Sequence, residues 1–398
     1  MKEKMLVGYV LDRFPAISET FISDEVYSVI QAGVPCHVFS LDQSSLSVVH
    51  PRAKQVVDSG VVSYCEPKPV LSDLWDLLVL AIRNPTRTVR TLASALRDRE
   101  HRWLARSALS IARASQRLEV NYFHAHYADT AAQLAMWAHR WTGTPFTLTT
   151  HRYDIFETPP HNMKELVDES QRMICISYYN LRYLVKTFGV DERKLKVIRC
   201  GIYVDEFEND TRVPSLQGKS LRLLCVARLV PEKGHQYLFE AVRMLIARGV
   251  SVSLSLAGGG PMRGALENLT NQMAINASVH FLGEQTGVQV RQLFRECDIA
   301  VLASLSESMG LVNMEGMASG RPVIATAVLG VPELVEDRVT GFLCPPASPE
   351  AIVETIHWIL SHPDETREII ERGKKRVKTE FSREECTGQL ISTWNSSD

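Results

Sequence analysis

The chain has 398 residues, 45% of them hydrophobic and 23% charged, with a formal net charge of −2. That length exceeds one ordinary hydrophobic core, so two domains are expected, and the near-neutral charge speaks against nucleic acid as a partner. Eight cysteines, none in a Cys-x-x-Cys pair and several inside apolar runs such as Ile174-Cys175-Ile176, read as buried free thiols of a reducing compartment. No apolar stretch reaches the length of a membrane span. The opening run Met5 to Leu11 is too short for a signal-peptide core and reads as a first strand, in a cytoplasmic protein.

Short apolar runs alternate with longer helical patterns. Strands are predicted near 5–11, 35–40, 61–64, 120–124, 145–150, 172–176 and 195–199, and then near 220–226, 251–257, 278–282, 298–303, 322–326 and 342–344. The alternation argues for an α/β chain of two doubly wound Rossmann-like domains, each a parallel sheet with crossover helices. After the first strand, Ser18 is a candidate N-cap, and Phe21, Ile22, Val26, Val29 and Ile30 form one apolar helix face ending at Gly33. Leu74, Trp75, Leu77, Leu78, Leu80 and Ile82 then precede nine arginines between Arg83 and Arg117, set against only Asp98 and Glu100. This stretch is either a solvated basic face or a surface for an anionic bilayer or a lipid diphosphate.

Further along, His124 and His126 offer a metal pair on one strand face. No third ligand is apparent in the sequence, and no metal is expected. His151 and Asp154 follow the next predicted strand. The polar segment Glu206 to Lys219 reads as a linker. In the second half, Arg228 and Lys233 follow the first strand. Arg228 can grip phosphate oxygens bidentately and Lys233 can add a point charge. No Asp-x-Asp occurs in the chain, so a phosphate bound here would be met by fixed cations rather than by a metal held on that motif. Gly258-Gly259-Gly260 ends a strand, either as a tight turn or as a place where backbone approaches a ligand. Phe281-Leu282-Gly283 ends another. Glu307 lies in the loop after the strand 298–303. Gly310 turns into a helix from Leu311 to Ser319 that carries Glu315, with Gly320 past its end. The two carboxylates thus flank a helix N-terminus at the carboxyl edge of a parallel sheet, where open α/β folds bind ligands.

The stretch Glu307-Ser308-Met309-Gly310, the tail Glu315-Gly316-Met317-Ala318-Ser319-Gly320-Arg321-Pro322-Val323-Ile324, and Gly330-Val331-Pro332-Glu333-Leu334-Val335 resemble the Glu-x7-Glu signature of family 4 glycosyltransferases of the GT-B fold. Two positions depart from the family pattern, Gly316 for Ala and Met309 for Phe. The string Phe14-Pro15-x-x-Ser18-Glu19-Thr20-Phe21-Ile22 resembles the branch that builds bacterial exopolysaccharides of the colanic-acid type. The resemblance implies a retaining, metal-independent transferase in polysaccharide biosynthesis, with front-face departure and attack and a UDP- or GDP-sugar donor. The acceptor would be a glycan or a lipid-linked sugar. The enzyme would be cytoplasmic, and peripheral on the inner face of the cell membrane if the stretch Arg83 to Arg117 meets a bilayer rather than standing as a solvated face.

By residue, the resemblance gives Arg228 and Lys233 to the donor diphosphate and Glu315 to the ribose. Glu307 and His151 fall to the donor sugar. The backbone groups of Gly310, Leu311 and Val312 fall to sugar and phosphate, and those of Leu282 to the nucleobase; Gly258 is the candidate for close backbone approach to the bound ligand. His151, Glu307, Arg228 and Lys233 are the expected catalytic set. The implied layout is an acceptor domain at 1–205, a linker at 206–219, a nucleotide-sugar domain at 220–376, and a helix at 377–398 that returns to the first domain across a cleft. Two other readings remain open, a non-catalytic nucleotide-sugar-binding assembly subunit and a GT-B sugar-nucleotide epimerase.

Overall fold

The computed structural model describes residues 5–16, 19–42, 50–65, 70–98, 102–209, 211–214 and 220–396, and of Val70, Leu71 and Arg102 the backbone. Ser18, Arg99 and the linker residues 210 and 215–219 lie outside the described residues. The chain divides into two units, Met1–Arg199 with Thr387–Asp398, and Cys200–Cys386.

Among the described residues, the first unit holds seven strands: β1 (Val7–Arg13), β2 (Cys36–Asp42), β3 (Val62–Tyr64), β4 (Tyr122–His126), β5 (Phe146–Thr150), β6 (Arg172–Cys175) and β7 (Leu195–Val197). Their order is β3-β2-β1-β4-β5-β6-β7, and every pairing is parallel. Helices cover both faces, so strand residues are buried on both sides. Tyr9 and Leu11 enter one core cluster and Val10 the other, as the two-residue repeat of a strand requires. The last helix, Arg383–Asn395, contributes to the first of these clusters through Leu390 and Trp394. Trp394 Nε1 donates to Thr147 Oγ1 at 3.1 Å, and Thr387 Oγ1 to Ser28 Oγ at 3.0 Å.

The second unit holds β8 (Leu221–Val226), β9 (Val252–Ala257), β10 (Val279–Gly283), β11 (Ile299–Leu302), β12 (Val323–Thr326) and β13 (Phe342–Cys344). The order β10-β9-β8-β11-β12-β13 is again all parallel. Residues 200–207 belong to this unit, whereas the sequence puts 200–205 in the first domain and 206 and 207 in the linker. Ile202 pairs with Ser382, and Ile202, Val204 and Phe207 share a core cluster with Val377 and Phe381. That packing also assigns 377–386 to the second unit and splits the expected terminal segment. One helix, Pro363–Glu380, ends there, and the next begins at Arg383.

Strand order reverses between β1 and β4 in one sheet and between β8 and β11 in the other. At each reversal, neighbouring loops leave the sheet toward opposite faces and open a crevice at the carboxyl edge. All eight cysteines are free, and seven are buried. Among the described residues, no helix is long and apolar enough to cross a membrane.

Candidate functional site

In the second unit, the loops after β8 and β11 meet at the point of reversal. Leu305 N–H donates to Glu232 O at 2.7 Å. Gly234, at φ +61°, sits so close that a Cβ would lie 2.1 Å from Ala303 O, so only glycine permits this approach. The result is a direct ion pair between Lys233 Nζ and Glu307 Oε2, each side chain only 15% exposed. The sequence assigned these two residues to different parts of a donor; the fold places them in contact. Arg228 is on the same loop with an exposed side chain, 3.7 Å from Glu232.

Beyond Glu307, Gly310 at φ +77° leads into the helix Leu311–Ala318, whose N-terminus is capped by no side chain among the described residues. The first N–H groups of such a helix point outward with a partial positive charge. Ser308 Oγ and Asn313 Nδ2, beside this turn, are buried without a hydrogen-bond partner among the described residues. Glu315 is half-buried on the same helix.

Two of the three glycines after β9 are explained by packing. A Cβ on Gly258 would lie 2.1 Å from Ala227 O, and one on Gly260 would lie 2.4 Å from Leu229 O. They let this loop lie flat against the loop that carries Arg228, with Leu229 N–H donating to Gly259 O at 2.7 Å. At the end of β10, Leu282 O already accepts from Gln285 Nε2 at 2.9 Å.

The first unit assembles a separate cluster at the carboxyl edge of its sheet. His151 follows β5 and is fixed by its backbone. Its N–H donates to Asp154 Oδ1 at 2.9 Å, and its carbonyl accepts from Asn180 Nδ2 at 3.0 Å. Asp154 Oδ2 accepts from Ala128 N–H at 2.8 Å, so this buried carboxyl ties the loops after β4 and β5 together. Burial pushes Asp154 up to about 7, against the pull of those two donors. The His151 ring lies between Phe21 and Tyr127, with centroids 4.8 and 4.6 Å away. Its Nε2 is 3.1 Å from His126 Nδ1. Burial, reinforced by His126, holds His151 well below the usual histidine range, so it acts as a neutral hydrogen-bonding ring.

Glu25 completes this cluster. Its Oε1 is 3.0 Å from His126 Nε2 and 3.5 Å from His124 Nε2, and it accepts from Tyr9 OH at 3.1 Å. Burial alone would raise Glu25, but the two histidines hold it well below the usual carboxylate range. The sequence offered no third ligand for the His124 and His126 pair; the fold supplies one, with candidate ligand atoms of all three residues within 4.8 Å of one another. The same lone pairs are already shared by hydrogen bonds. His124 Nδ1 meets Thr147 Oγ1 at 2.8 Å, so a metal would have to displace protons from this network. A signal for Glu25 was present, because it falls between Ile22, Val26 and Val29 on the buried face of the helix Thr20–Gln31.

The fold and these sites define a class. Residues 29–206 match the family model Glycosyltransferase Family 4, and residues 206–376 match Glycosyl transferases group 1. The chain belongs to the family 4 glycosyltransferases and is an enzyme of the GT-B fold. It is similar along its length to the WcaL protein of Salmonella typhimurium, which carries the name of a colanic acid biosynthesis glycosyltransferase. Identity is 26% over 413 residues, covering 98% of this chain and 99% of the other. An uncharacterized glycosyltransferase of Methanocaldococcus jannaschii is 30% identical over 235 residues, or 57% of this chain and 60% of that one. Among solved structures, a glycosyltransferase from Rickettsia africae superposes with a TM-score of 0.77 at 18% identity, over 99% of this chain and 98% of that one. HepE of Anabaena, solved in complex with UDP, superposes with a TM-score of 0.76 at 17% identity, over 98% and 99%. At these identities the structural likeness is one of fold.

Proposed function

We propose that this glycosyltransferase is retaining and metal-independent, and moves a sugar from a nucleoside-diphosphate sugar to a glycan or a lipid-linked sugar in polysaccharide assembly. The observation that carries the donor reading is the Lys233–Glu307 pair at the β8/β11 reversal, beside an uncapped helix N-terminus and the exposed Arg228. One Nζ proton of Lys233 is engaged by Glu307, which leaves two donors for phosphate oxygens. Arg228 and the N–H groups of Leu311 and Val312 add charge-assisted hydrogen bonds to the same diphosphate. Glu315 takes the ribose hydroxyls, and Glu307 the donor sugar.

In the reaction, the bond from the anomeric carbon to the diphosphate oxygen breaks, and its electron pair leaves with the diphosphate. The acceptor oxygen forms the new bond on the same face. Its proton passes to the departing diphosphate, whose developing charge Arg228 and Lys233 stabilise. His151, neutral and fixed through its backbone, would serve as a hydrogen-bond partner for the donor sugar. A uridine or guanosine donor fits this chemistry, and the UDP bound by the similarly folded HepE favours uridine.

The test is a thermal-shift comparison of UDP and GDP, followed by slow release of free diphosphate from the matching nucleotide sugars. A ligand present at about 100 times its Kd stabilises the native state by about 2.7 kcal/mol. Arg228→Ala and Lys233→Ala should each cut turnover at subsaturating donor by about 10- to 150-fold, the worth of one hydrogen bond to a charged group. Normal turnover in both variants would remove the diphosphate assignment.

A further inference from the structure

Two helices of the first unit, Val70–Arg83 and Pro85–Arg97, are amphipathic in the wrong sense for a protein surface. On Pro85–Arg97, Thr88, Thr91 and Ala95 face inward, and Thr91 Oγ1 donates to Arg140 O at 2.7 Å. The outward side carries Val89, Leu92 and Leu96 at i, i+3 and i+7, the spacing that normally marks a core-facing stripe. Val70–Arg83 buries Leu80 but leaves Leu74, Leu78 and Ile82 exposed at i, i+4 and i+8. Ile82 and Leu96 are each 73% exposed, and Trp75 is 64% exposed. Trp103, on the following helix Arg102–Leu118, is 54% exposed. Nine of the sixteen large hydrophobic side chains exposed among the described residues lie between Leu74 and Leu118. Such a concentration marks an interaction surface.

The charges on this surface select its partner. Arg83, Arg90 and Arg97 stand on these helices, and none has an ion pair among the described residues, whereas Arg106 and Arg113 are tied to Asp73 and Asp76. A second copy of the chain would set these arginines against each other. An anionic surface would pair with them while the aliphatic side chains and tryptophans enter the acyl boundary. We propose that the outer face of the helices Val70–Arg83 and Pro85–Arg97, extended by Trp103, docks on an anionic lipid bilayer. This deepens the reading of a lipid-linked acceptor but does not depend on the transfer chemistry.

The experiment is co-sedimentation of the full chain with phosphatidylcholine vesicles, with and without phosphatidylglycerol, at low and high salt. The unsubstituted protein should bind the anionic vesicles and weaken as salt rises. Each basic residue near such a surface contributes about five-fold, so the variant Arg83→Gln/Arg90→Gln/Arg97→Gln should lose about 100-fold at low salt. The variant Ile82→Gln/Leu96→Gln should lose more than about ten-fold at every salt concentration, since its lost term is burial of apolar area. All five side chains point to solvent, and thermal unfolding of each variant checks that the fold is kept. Absence of binding at low salt, equal binding to neutral vesicles, or unchanged binding by both variants would overturn the proposal. So would a self-associating protein in sedimentation velocity that Ile82→Gln/Leu96→Gln converts to monomer, because the partner would then be a second copy. The thermal shift with nucleoside diphosphate is read on the same samples. For the unsubstituted protein, no vesicle binding with an intact shift defeats the docking surface alone, and vesicle binding with no shift defeats the donor site alone.

Discussion

Glu307 and Glu315 stand in different settings, and their removal should separate turnover from binding. Glu307 holds Lys233 in an ion pair at the edge of the sheet, so Glu307→Gln loosens the cation proposed to meet the developing charge. Turnover should fall by about 10- to 150-fold, the range for one hydrogen bond to a charged group. Glu315, on the helix, is assigned to the ribose, which changes little between ground and transition states. Glu315→Gln should therefore raise the KM for donor more than it lowers kcat. Steady-state kinetics with varied donor decides the matter, and the opposite split would exchange the two roles. The glutamates could be picked out in the sequence because a strand, a glycine turn and a helix follow one another locally. The contact of Lys233 with Glu307 could not, because 74 residues separate them and only the reversal of strand order makes β8 and β11 neighbours. Glu25 was hidden for a related reason. Its helix face was legible, but the histidines it meets come from a strand about a hundred residues later.

At the scale of elements, the strands were legible because parallel strands buried on both faces leave continuous apolar runs, and each predicted run coincides with a strand to within a few residues. Glycines were less so, since their reason lies in what packs against them. Gly316 is the clearest case. As a helix residue it costs about 1 kcal/mol relative to alanine, which makes it look like a defect. A Cβ there would lie 2.8 Å from Val323 Cγ2 and 3.3 Å from Phe294 Cε1. The helix Leu311–Ala318 therefore sits tight on β12, and crowding outweighs propensity. Gly316→Ala should destabilise the protein by up to about 2 kcal/mol, the difference between an overpacking cost of about 1–3 kcal/mol and the propensity gain. Adding Val323→Ala should relieve the contact, so that Gly316→Ala becomes neutral or stabilising in that background. Denaturant melts of the four proteins in this cycle measure the coupling, and additive effects would show that Val323 does not set the constraint.

For the molecule as a whole, the two α/β units were legible from the alternation of elements, but their boundaries were not. Residues 200–205 read as the end of the first domain, and Glu206 and Phe207 as the start of a polar linker, until Phe207 and Phe381 are seen in one cluster, and no local pattern announces a partner that distant. The same limit applies to metal. Two histidines on one strand are ambiguous in sequence, and in the fold they acquire Glu25 as a third group. Charge balance gives the expected outcome. In the proposed mechanism the diphosphate is neutralised by Arg228, Lys233 and a helix N-terminus in the second unit, none of which requires a metal ion. In the first unit, both His124 and His126 spend their Nε2 atoms on Glu25 and their Nδ1 atoms on Thr147 and His151. A metal there would have to expel protons and break those bonds, so its binding would weaken as pH falls. Treatment with EDTA should therefore leave both turnover and the unfolding temperature unchanged. Loss of turnover restored by magnesium or manganese, with the unfolding temperature constant, would place a metal at the reacting diphosphate and overturn the mechanism. A fall in unfolding temperature that zinc reverses, and that Glu25→Gln abolishes, would instead make the Glu25, His124 and His126 cluster a metal centre.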